Sequence, residues 1–492
     1  MNIALIVGII VAVIGVIILA LVIQRRARLK KVSKARRWEE KEERENHRLR
    51  VWTYIFGIVT VLGVAITLLA LFFPPTAKLA KEDKQRISQI EKKLNEVNEN
   101  IRRIEDRLGV PIYVDGLPSA DSAIFDPFAK GLKLMTEYKW DEAIAEFKKS
   151  MKEAKASQLV ALYNLIGLCY YTPGKLDLTL ENWNKSLSLA KEFADREGEA
   201  IALGNLGNVY QIRGDLDKAL KSFEEGLKID REMERKEGIA AKLGNIGLIY
   251  DTKGELDKAL KYYEDALKIN REIGNKKGEA GDLGNIGLIY QTRGDLDKAL
   301  KNFEEALRIE IEIGNREDEA KILGNIGLIY QTRGELDKAL KYHEDALKID
   351  REIGNKVGEA QDLGNIGLIY QTRGDLGNAL KYLEDALKIQ QEIGDKVGEA
   401  RQLGNIGLIY QTRGDLENAL KYQQDALKID REIGNKVGEA QDLGNIGLVF
   451  ETKGEKEKAL KYYEDALRLF TEIGAQREIE MVKENIKGLK GE

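Results

Sequence analysis

Apolar residues recur at helical spacing along most of the chain, and the whole pattern repeats every forty residues. Seven glycines keep this period without slippage: Gly207, Gly247, Gly287, Gly327, Gly367, Gly407 and Gly447. Looser copies of the pattern centre on Gly131 and Gly167. A fixed period of this length indicates a stack of similar supersecondary units. The pattern predicts about nine units over residues 127–474, followed by a C-terminal capping helix over 475–492.

The unit around Gly367 shows the elements of one repeat. An apolar stripe over residues 359–373 predicts a first helix, which Gly374 is expected to end. Asp375 is a suitable N-cap for a second helix. The apolar stripe of that second helix has six residues: Ala379, Leu380, Leu383, Ala386, Leu387 and Ile389. Each unit is therefore predicted to be a helical hairpin, in which Gly367 faces the small residues Ala379 and Ala386 and permits close contact.

The apolar and small positions of this unit, with their spacings, resemble the tetratricopeptide repeat: Leu363, Gly367, Tyr370, Ala379 and Ala386. The resemblance covers roughly residues 128–470. The forty-residue repeat length and the sequence motif Gly364-Asn365-Ile366-Gly367 are similar to those of the LGN/Pins and rapsyn-like branch of that family. The resemblance implies an all-α superhelical solenoid of helical hairpins, whose first helices line a concave surface for peptides or protein segments.

The first helices also carry a polar column on the side away from their partner helices. At about 100° per residue, Gln361, Asn365, Leu368 and Thr372 cluster about 180° from Leu363. The asparagine recurs in seven units: Asn205, Asn245, Asn285, Asn325, Asn365, Asn405 and Asn445. A leucine recurs three residues later: Leu248, Leu288, Leu328, Leu368, Leu408 and Leu448.

Stacked amides offer donors and acceptors that could hold the backbone of an extended peptide, above an apolar floor of leucines. Such a column is similar to an asparagine ladder in other members of the superfamily. An alternative stays open, because the near-identity of the units indicates recent duplication. A duplicated asparagine repeats whether or not it binds a ligand, and it could only bridge neighbouring units.

The N-terminal residues have a different composition. Residues 3–23 and 51–73 lack charged residues, and each stretch is long enough to cross a hydrocarbon core of about 30 Å. The segment between them, residues 24–50, contains twelve Lys/Arg and is expected to be a cytoplasmic loop. Residues 1–76 are therefore predicted to be a two-helix membrane anchor. This prediction makes the chain an integral membrane protein with an extracytoplasmic repeat domain.

Residues 77–108 follow with a heptad pattern. Seven apolar residues alternate at spacings of three and four: Ile87, Ile90, Leu94, Val97, Ile101, Ile104 and Leu108. This seam predicts a short coiled coil of three or four strands, and hence a homo-oligomer. The alternative is a single amphipathic helix that packs on the repeats. Residues 109–126 are predicted to be a linker.

Composition argues against most catalytic chemistry. The 492 residues include 78 basic and 82 acidic side chains, and this balance does not favour nucleic acid as a partner. Cys169 is the only cysteine, and the two histidines, His47 and His343, are far apart. We therefore expect no enzyme activity, no metal site and no cofactor. The favoured function is a membrane-anchored scaffold that binds protein or peptide segments, and the alternative is a structural self-assembling protein.

Overall fold

The computed structural model describes residues 88–90, 92–101, 103–104 and 125–491. The continuous part, residues 125–491, contains nineteen α-helices and no β-strand. The described residues divide into two compact units at Ala154 and Lys155. The all-α helical repeat predicted from the sequence is confirmed.

The first unit contains helical residues between 88 and 104, followed by α1 (Phe125–Thr136) and α2 (Trp140–Ser150). Val97, Ile101 and Ile104 of the predicted seam are buried within the single chain. Lys93, on the same helical stretch, forms an ion pair of 2.7 Å with Asp126 of α1.

These contacts do not support the coiled-coil prediction. A coiled-coil seam in a single chain would be exposed until other copies covered it, whereas this one is already covered. Homo-oligomerisation through the segment is therefore not supported, and the alternative of one amphipathic helix packed within the chain explains the burial. Ile87, Leu108 and residues 109–124 lie outside the described residues.

The second unit is a stack of eight helical hairpins. The first helices of the hairpins are α3 (Ala156–Tyr171), α5 (Arg196–Ile212), α7 (Lys236–Thr252), α9 (Lys276–Thr292), α11 (Arg316–Thr332), α13 (Lys356–Thr372), α15 (Lys396–Thr412) and α17 (Lys436–Thr452). The second helices are α4 (Leu176–Glu192), α6 (Leu216–Glu232), α8 (Leu256–Ile273), α10 (Leu296–Ile313), α12 (Leu336–Ile353), α14 (Leu376–Ile393), α16 (Leu416–Ile433) and α18 (Lys456–Ile473). A final helix, α19 (Gln476–Lys490), packs against α18.

The residues predicted to form the turns and helix caps adopt those roles in the structure. Gly374 follows α13 with φ of +76°, a left-handed conformation that a side chain would strain. Asp375 caps α14, since its carboxylate accepts a hydrogen bond of 3.1 Å from the backbone N–H of Asn378. Gly394 ends α14 with φ of +73°.

The predicted contact between the helix glycine and Ala379 is present, but the nearest neighbour of Gly367 is a residue that the prediction did not name. A Cβ on Gly367 would lie 2.8 Å from Cγ of Leu383 and 3.3 Å from the carbonyl oxygen of Ala379, so Ala386 is not its nearest neighbour. The same contact recurs in every hairpin, between the glycine and a fully buried residue sixteen positions later. These buried residues are Phe147, Trp183, Phe223, Tyr263, Phe303, His343, Leu383, Gln423 and Tyr463.

Consecutive hairpins pack mainly through a second helix and the following first helix. First helices of consecutive hairpins also approach each other directly, as α7 does with α9 and α11 with α13. They therefore lie on the inner side of the stack. Arg373 also forms a surface ion pair between hairpins, because its Nη2 lies 2.5 Å from Oδ1 of Asp337 in the preceding hairpin. Where Gly377 replaces the aspartate, Arg413 donates to the carbonyl of Leu376 instead, at 2.7 Å.

The structure also corrects the prediction of an integral membrane protein. Within the residues that the structure describes, no helix is both long and apolar enough to cross a membrane. The longest helices between 125 and 491 have 18 residues, and one of them, α10, carries acidic and basic residues along its length. The predicted spans 3–23 and 51–73 and the basic loop 24–50 lie outside the described residues. The membrane assignment and the extracytoplasmic location derived from it do not stand.

Two glycines of α9 provide a matched test of the hairpin contact. A Cβ on Gly287 would lie 2.7 Å from the buried ring of Phe303, whereas a Cβ on Gly284 would meet nothing within 4 Å. Gly284→Ala should raise the free energy of unfolding by up to about 1 kcal/mol through helix propensity. Gly287→Ala should lower it, because a close-packed core cannot accept the added methyl group. Thermal unfolding measures both, and equal midpoints would contradict the contact.

Candidate functional site

The asparagine and leucine columns lie side by side on the inner helices. Asn205 is buried, and the other six asparagines are half-buried. Three leucines of the neighbouring column are exposed by 39–40%: Leu248, Leu288 and Leu448. The other three, Leu328, Leu368 and Leu408, are half-buried. Since residues i and i+3 are neighbours on a helix, the two columns form one surface of amides and apolar side chains. We call this surface the amide face.

Four of the seven amides are already bonded to other residues of the chain. Nδ2 of Asn205 donates to Oδ1 of Asn164 at 3.5 Å, and Nδ2 of Asn245 donates to Oδ1 of Asn208 at 3.3 Å. At the other end, Asn405 and Asn445 donate to side-chain oxygens of Gln402 and Gln423, each at 3.3 Å. These acceptors were missed by sequence reasoning, because they occupy positions where the repeats differ.

The three central amides are different. Among the described residues, no hydrogen bond joins the side chain of Asn285, Asn325 or Asn365 to another residue. Each is half-buried and each lies in a consecutive hairpin, so donors and acceptors on α9, α11 and α13 are open to a ligand. The column is therefore not uniform, although the sequence repeats it without change.

Polar residues also occupy the joints between hairpins, behind the amide face. Each joint brings together a residue near the end of a second helix and one on the following first helix. Nζ of Lys242 lies 2.5 Å from Oδ2 of Asp230, and Nδ2 of Asn270 donates to Asp282 at 2.8 Å. All four side chains are buried. Burial raises the pKa of Asp282 to about 7.

Two later joints pair acidic residues. Burial, together with the neighbouring Asp430, raises the pKa of Asp442 to about 8. Burial and Asp362 likewise raise the pKa of Asp350 to about 6. At neutral pH the Asp430–Asp442 pair therefore retains a proton, since two like charges in a dry joint repel each other.

His343 is a third polar group at the joint of Asp350 and Asp362. Its Nδ1 lies 3.1 Å from Oδ1 of Asp362, and its Nε2 has no hydrogen-bond partner. The ring occupies the buried position opposite Gly327, where one other hairpin has Gln423 and the rest have an aromatic or aliphatic residue. Over the described residues there is no group of three or more side chains that could hold a metal ion. We therefore assign these polar side chains to packing between hairpins.

The Asp442 joint predicts a pH dependence of stability. The folded chain retains this proton up to about pH 8, whereas the unfolded chain releases it near the ordinary value of 3.8. Stability should therefore fall as pH rises between these two values, and the raised pKa of Asp282 adds to the fall. In Asp442→Asn the fall should be smaller, because an amide mimics the protonated acid.

Thermal melting across this pH range measures the effect. At the alkaline end Asp442→Asn should melt at a higher temperature than wild type, and near pH 4 the two should be similar. Asp385→Asn, on the exposed face of α14, is the control and should follow wild type throughout. A wild-type midpoint that rises towards pH 8 would contradict the shared proton.

Comparison with known proteins identifies the repeat. The family model of the tetratricopeptide repeat matches residues 157–232, 238–312, 318–392 and 398–472, which together make up more than half of the chain. Each match spans two hairpins. No curated protein sequence matches the chain significantly.

Two solved structures share the fold. A STAND signal transduction ATPase with a tetratricopeptide repeat sensor from Pyrococcus horikoshii is 17% identical, with a TM-score of 0.57 over 75% of this chain and 56% of that chain. The apo form of the quorum sensor NprR from B. thuringiensis is also 17% identical, with a TM-score of 0.53 over 70% of this chain and 98% of that chain. At this identity the likeness shows the fold alone.

Proposed function

Because the chain belongs to the tetratricopeptide repeat family, we propose that its second unit binds an extended protein or peptide segment across the amide face. One observation carries the proposal: Asn285, Asn325 and Asn365 are half-buried, lie in consecutive hairpins and have no hydrogen-bond partner among the described residues. The amide atoms of these three residues are not among the buried unpartnered atoms of the described part of the chain, so solvent reaches them. An ordered row of accessible amides can donate to and accept from the backbone of a ligand.

The spacing of the hairpins matches the length of a few residues of an extended ligand chain. Packed helices lie about 8–10 Å apart, and an extended chain rises about 3.3 Å per residue. One hairpin therefore corresponds to about three ligand residues, and each open amide meets the backbone once in that distance. A side-chain amide can donate to a carbonyl and accept from an N–H, so it recognises backbone without reading the ligand's sequence. Leu288, Leu328 and Leu368 supply apolar contact beside the amides.

We propose one role for the two groups of asparagines. The bonded amides near the ends, at Asn205, Asn245, Asn405 and Asn445, bridge residues of this chain, and the open amides bind the ligand. Bridging between units then applies to Asn205, Asn245 and Asn445, whereas Asn405 bonds to Gln402 on its own helix. Ligand binding applies to the three central hairpins.

The triple variant Asn285→Ala, Asn325→Ala and Asn365→Ala tests this function. Peptides that bind the full-length chain can be selected from a displayed random library, and their affinities measured for both proteins. Each lost hydrogen bond is worth about 0.5–1.5 kcal/mol, so affinity should fall by roughly ten- to a thousand-fold. The melting temperature should not fall, because alanine has a better helix propensity than asparagine.

The matched control is Asn245→Ala, Asn405→Ala and Asn445→Ala. These amides bond within the chain, so the control should lose stability and retain most of its peptide affinity. The proposal is wrong if the library yields no binding peptide, or if the central triple variant binds as well as wild type.

Self-assembly is a second candidate function, and a different surface favours it. Val357, Val397 and Val437 are exposed by 62%, 55% and 49% at the starts of three consecutive first helices. Earlier hairpins carry charged residues there: Glu197, Glu237, Lys277 and Glu317. An apolar row of this kind favours contact between copies of the chain.

Sedimentation of the full-length chain tests this candidate. Wild type should form concentration-dependent oligomers, and replacing the three exposed residues, as Val357→Ser, Val397→Ser and Val437→Ser, should abolish them, because the contact loses its apolar surface. A wild-type chain that remains monomeric at all concentrations would exclude self-assembly through this row.

A further inference from the structure

One column of the amide face changes from hairpin to hairpin. It lies four residues before each ladder asparagine, and residues i and i+4 are neighbours on a helix face. The column consists of Ile201, Ala241, Gly281, Lys321, Gln361, Arg401 and Gln441. Because the asparagine and leucine columns scarcely vary, this column is where the face can distinguish one ligand side chain from another.

The two cations of the column are in different electrostatic states. Nζ of Lys321 lies 2.8 Å from Glu317 and 3.1 Å from Asp318, so its charge is neutralised within the chain. Arg401 is exposed, and no ion pair or hydrogen bond joins its side chain to any other described residue. The same position of the repeat thus holds one paired and one open cation.

The surroundings of Arg401 leave its charge uncompensated. Glu399 is the only acidic residue of α15, and it is held by Lys396 at 2.6 Å and by the amide of Gln391 at 3.0 Å. On the flanking helices α13 and α17, Asp362 and Asp442 are buried in the joints. The other acids there are held as well: Glu359 by Lys356 and Arg351, Glu439 by Arg431, and Glu451 by the hydroxyl of Tyr463.

We propose that Arg401 is a specificity-determining residue that binds an acidic side chain of the extended segment. This inference rests on the proposed function of the amide face. A guanidinium group can form two parallel hydrogen bonds with one carboxylate. The acids of α13, α15 and α17 are buried or already held by other residues, so the charge of Arg401 is available to the ligand. The amides then hold the ligand backbone, and Arg401 selects one side chain.

The position of Arg401 specifies where that side chain lies. The face continues past α15 onto α17, where Asn445 and Leu448 extend the two columns, so the segment does not need to end at Arg401. The carboxylate is therefore expected to come from Asp or Glu within the segment. Arg401 is one hairpin beyond Asn365, which places the acidic residue about three positions from the ligand residue that Asn365 holds.

Peptides selected from a displayed random library on the full-length chain test the inference. They should share one Asp or Glu, and changing it to Asn or Gln should weaken binding about tenfold or more. Arg401→Gln should cause a similar loss for the acidic peptide and little loss for its neutral counterpart. Arg401→Glu should shift selection towards peptides with Lys or Arg at that position. Lys388→Gln, on the exposed side of the second helix α14 and outside the amide face, is the control and should retain wild-type affinity.

The outcomes separate this inference from the proposed function. Peptides that require Asn285, Asn325 and Asn365 but are indifferent to Arg401→Gln would overturn the role of Arg401 and leave the amide face intact. Loss of binding on C-terminal amidation, with no effect of the internal Asp or Glu, would also overturn it, because the carboxylate would then be a chain end. Failure to select any peptide would overturn both.

Discussion

The hairpins depend on the contact between a glycine of the first helix and a buried side chain of the second. At Gly287 a Cβ would lie 2.7 Å from Phe303, so any larger residue would force the two helices apart. A glycine within a helix costs about 1 kcal/mol relative to alanine, and burial of the facing ring offsets this cost. Because every hairpin shares this contact, the first helices keep one orientation relative to their partners. Their opposite sides are therefore aligned, and the asparagine column follows from the glycine contact.

The hairpins are very similar in sequence, but some of their buried positions hold different residues. The residue opposite the glycine is Phe303, His343 or Gln423 in different hairpins, and each polar choice has a partner: Gln423 donates to the carbonyl of Gly404 at 2.8 Å, and His343 faces Asp362. The joints differ in the same way, from an ion pair to an amide to a protonated acid pair. A hairpin docked on the wrong neighbour would leave such a group unpaired, at a cost of about 1–3 kcal/mol. The polar joints thus disfavour mispairing among hairpins of very similar sequence.

Local chemistry allowed much of the repeat to be predicted from sequence. Gly374 and Asp375 mark the turn because a left-handed residue and an N-cap are local requirements, and the face opposite Leu363 follows from helical periodicity. Ala379 was correctly predicted to face Gly367, but Leu383 was missed, because periodicity does not specify how two helices cross. The seam at Val97 left two interpretations open for a related reason, since an apolar stripe looks the same whether its own chain or another copy covers it. The open and bonded amides could not be separated either, because that difference depends on neighbours such as Asn164 and Gln402.

A surface made of equal repeats has an inherent ambiguity of register. A ligand backbone that bonds to Asn285, Asn325 and Asn365 could shift by one hairpin and meet chemically equivalent groups, so amides alone give affinity without a unique position. Two features of the chain remove this freedom. Hydrogen bonds within the chain occupy the amides at both ends, which limits the open row to α9, α11 and α13. In its column of the amide face, Arg401 is the one cation without an ion-pair partner among the described residues. A ligand whose acidic residue pairs with Arg401 can therefore bind in one register only. In the proposed binding mode, repetition thus supplies the length of the surface, and the residues that break the repetition determine where on it the ligand lies.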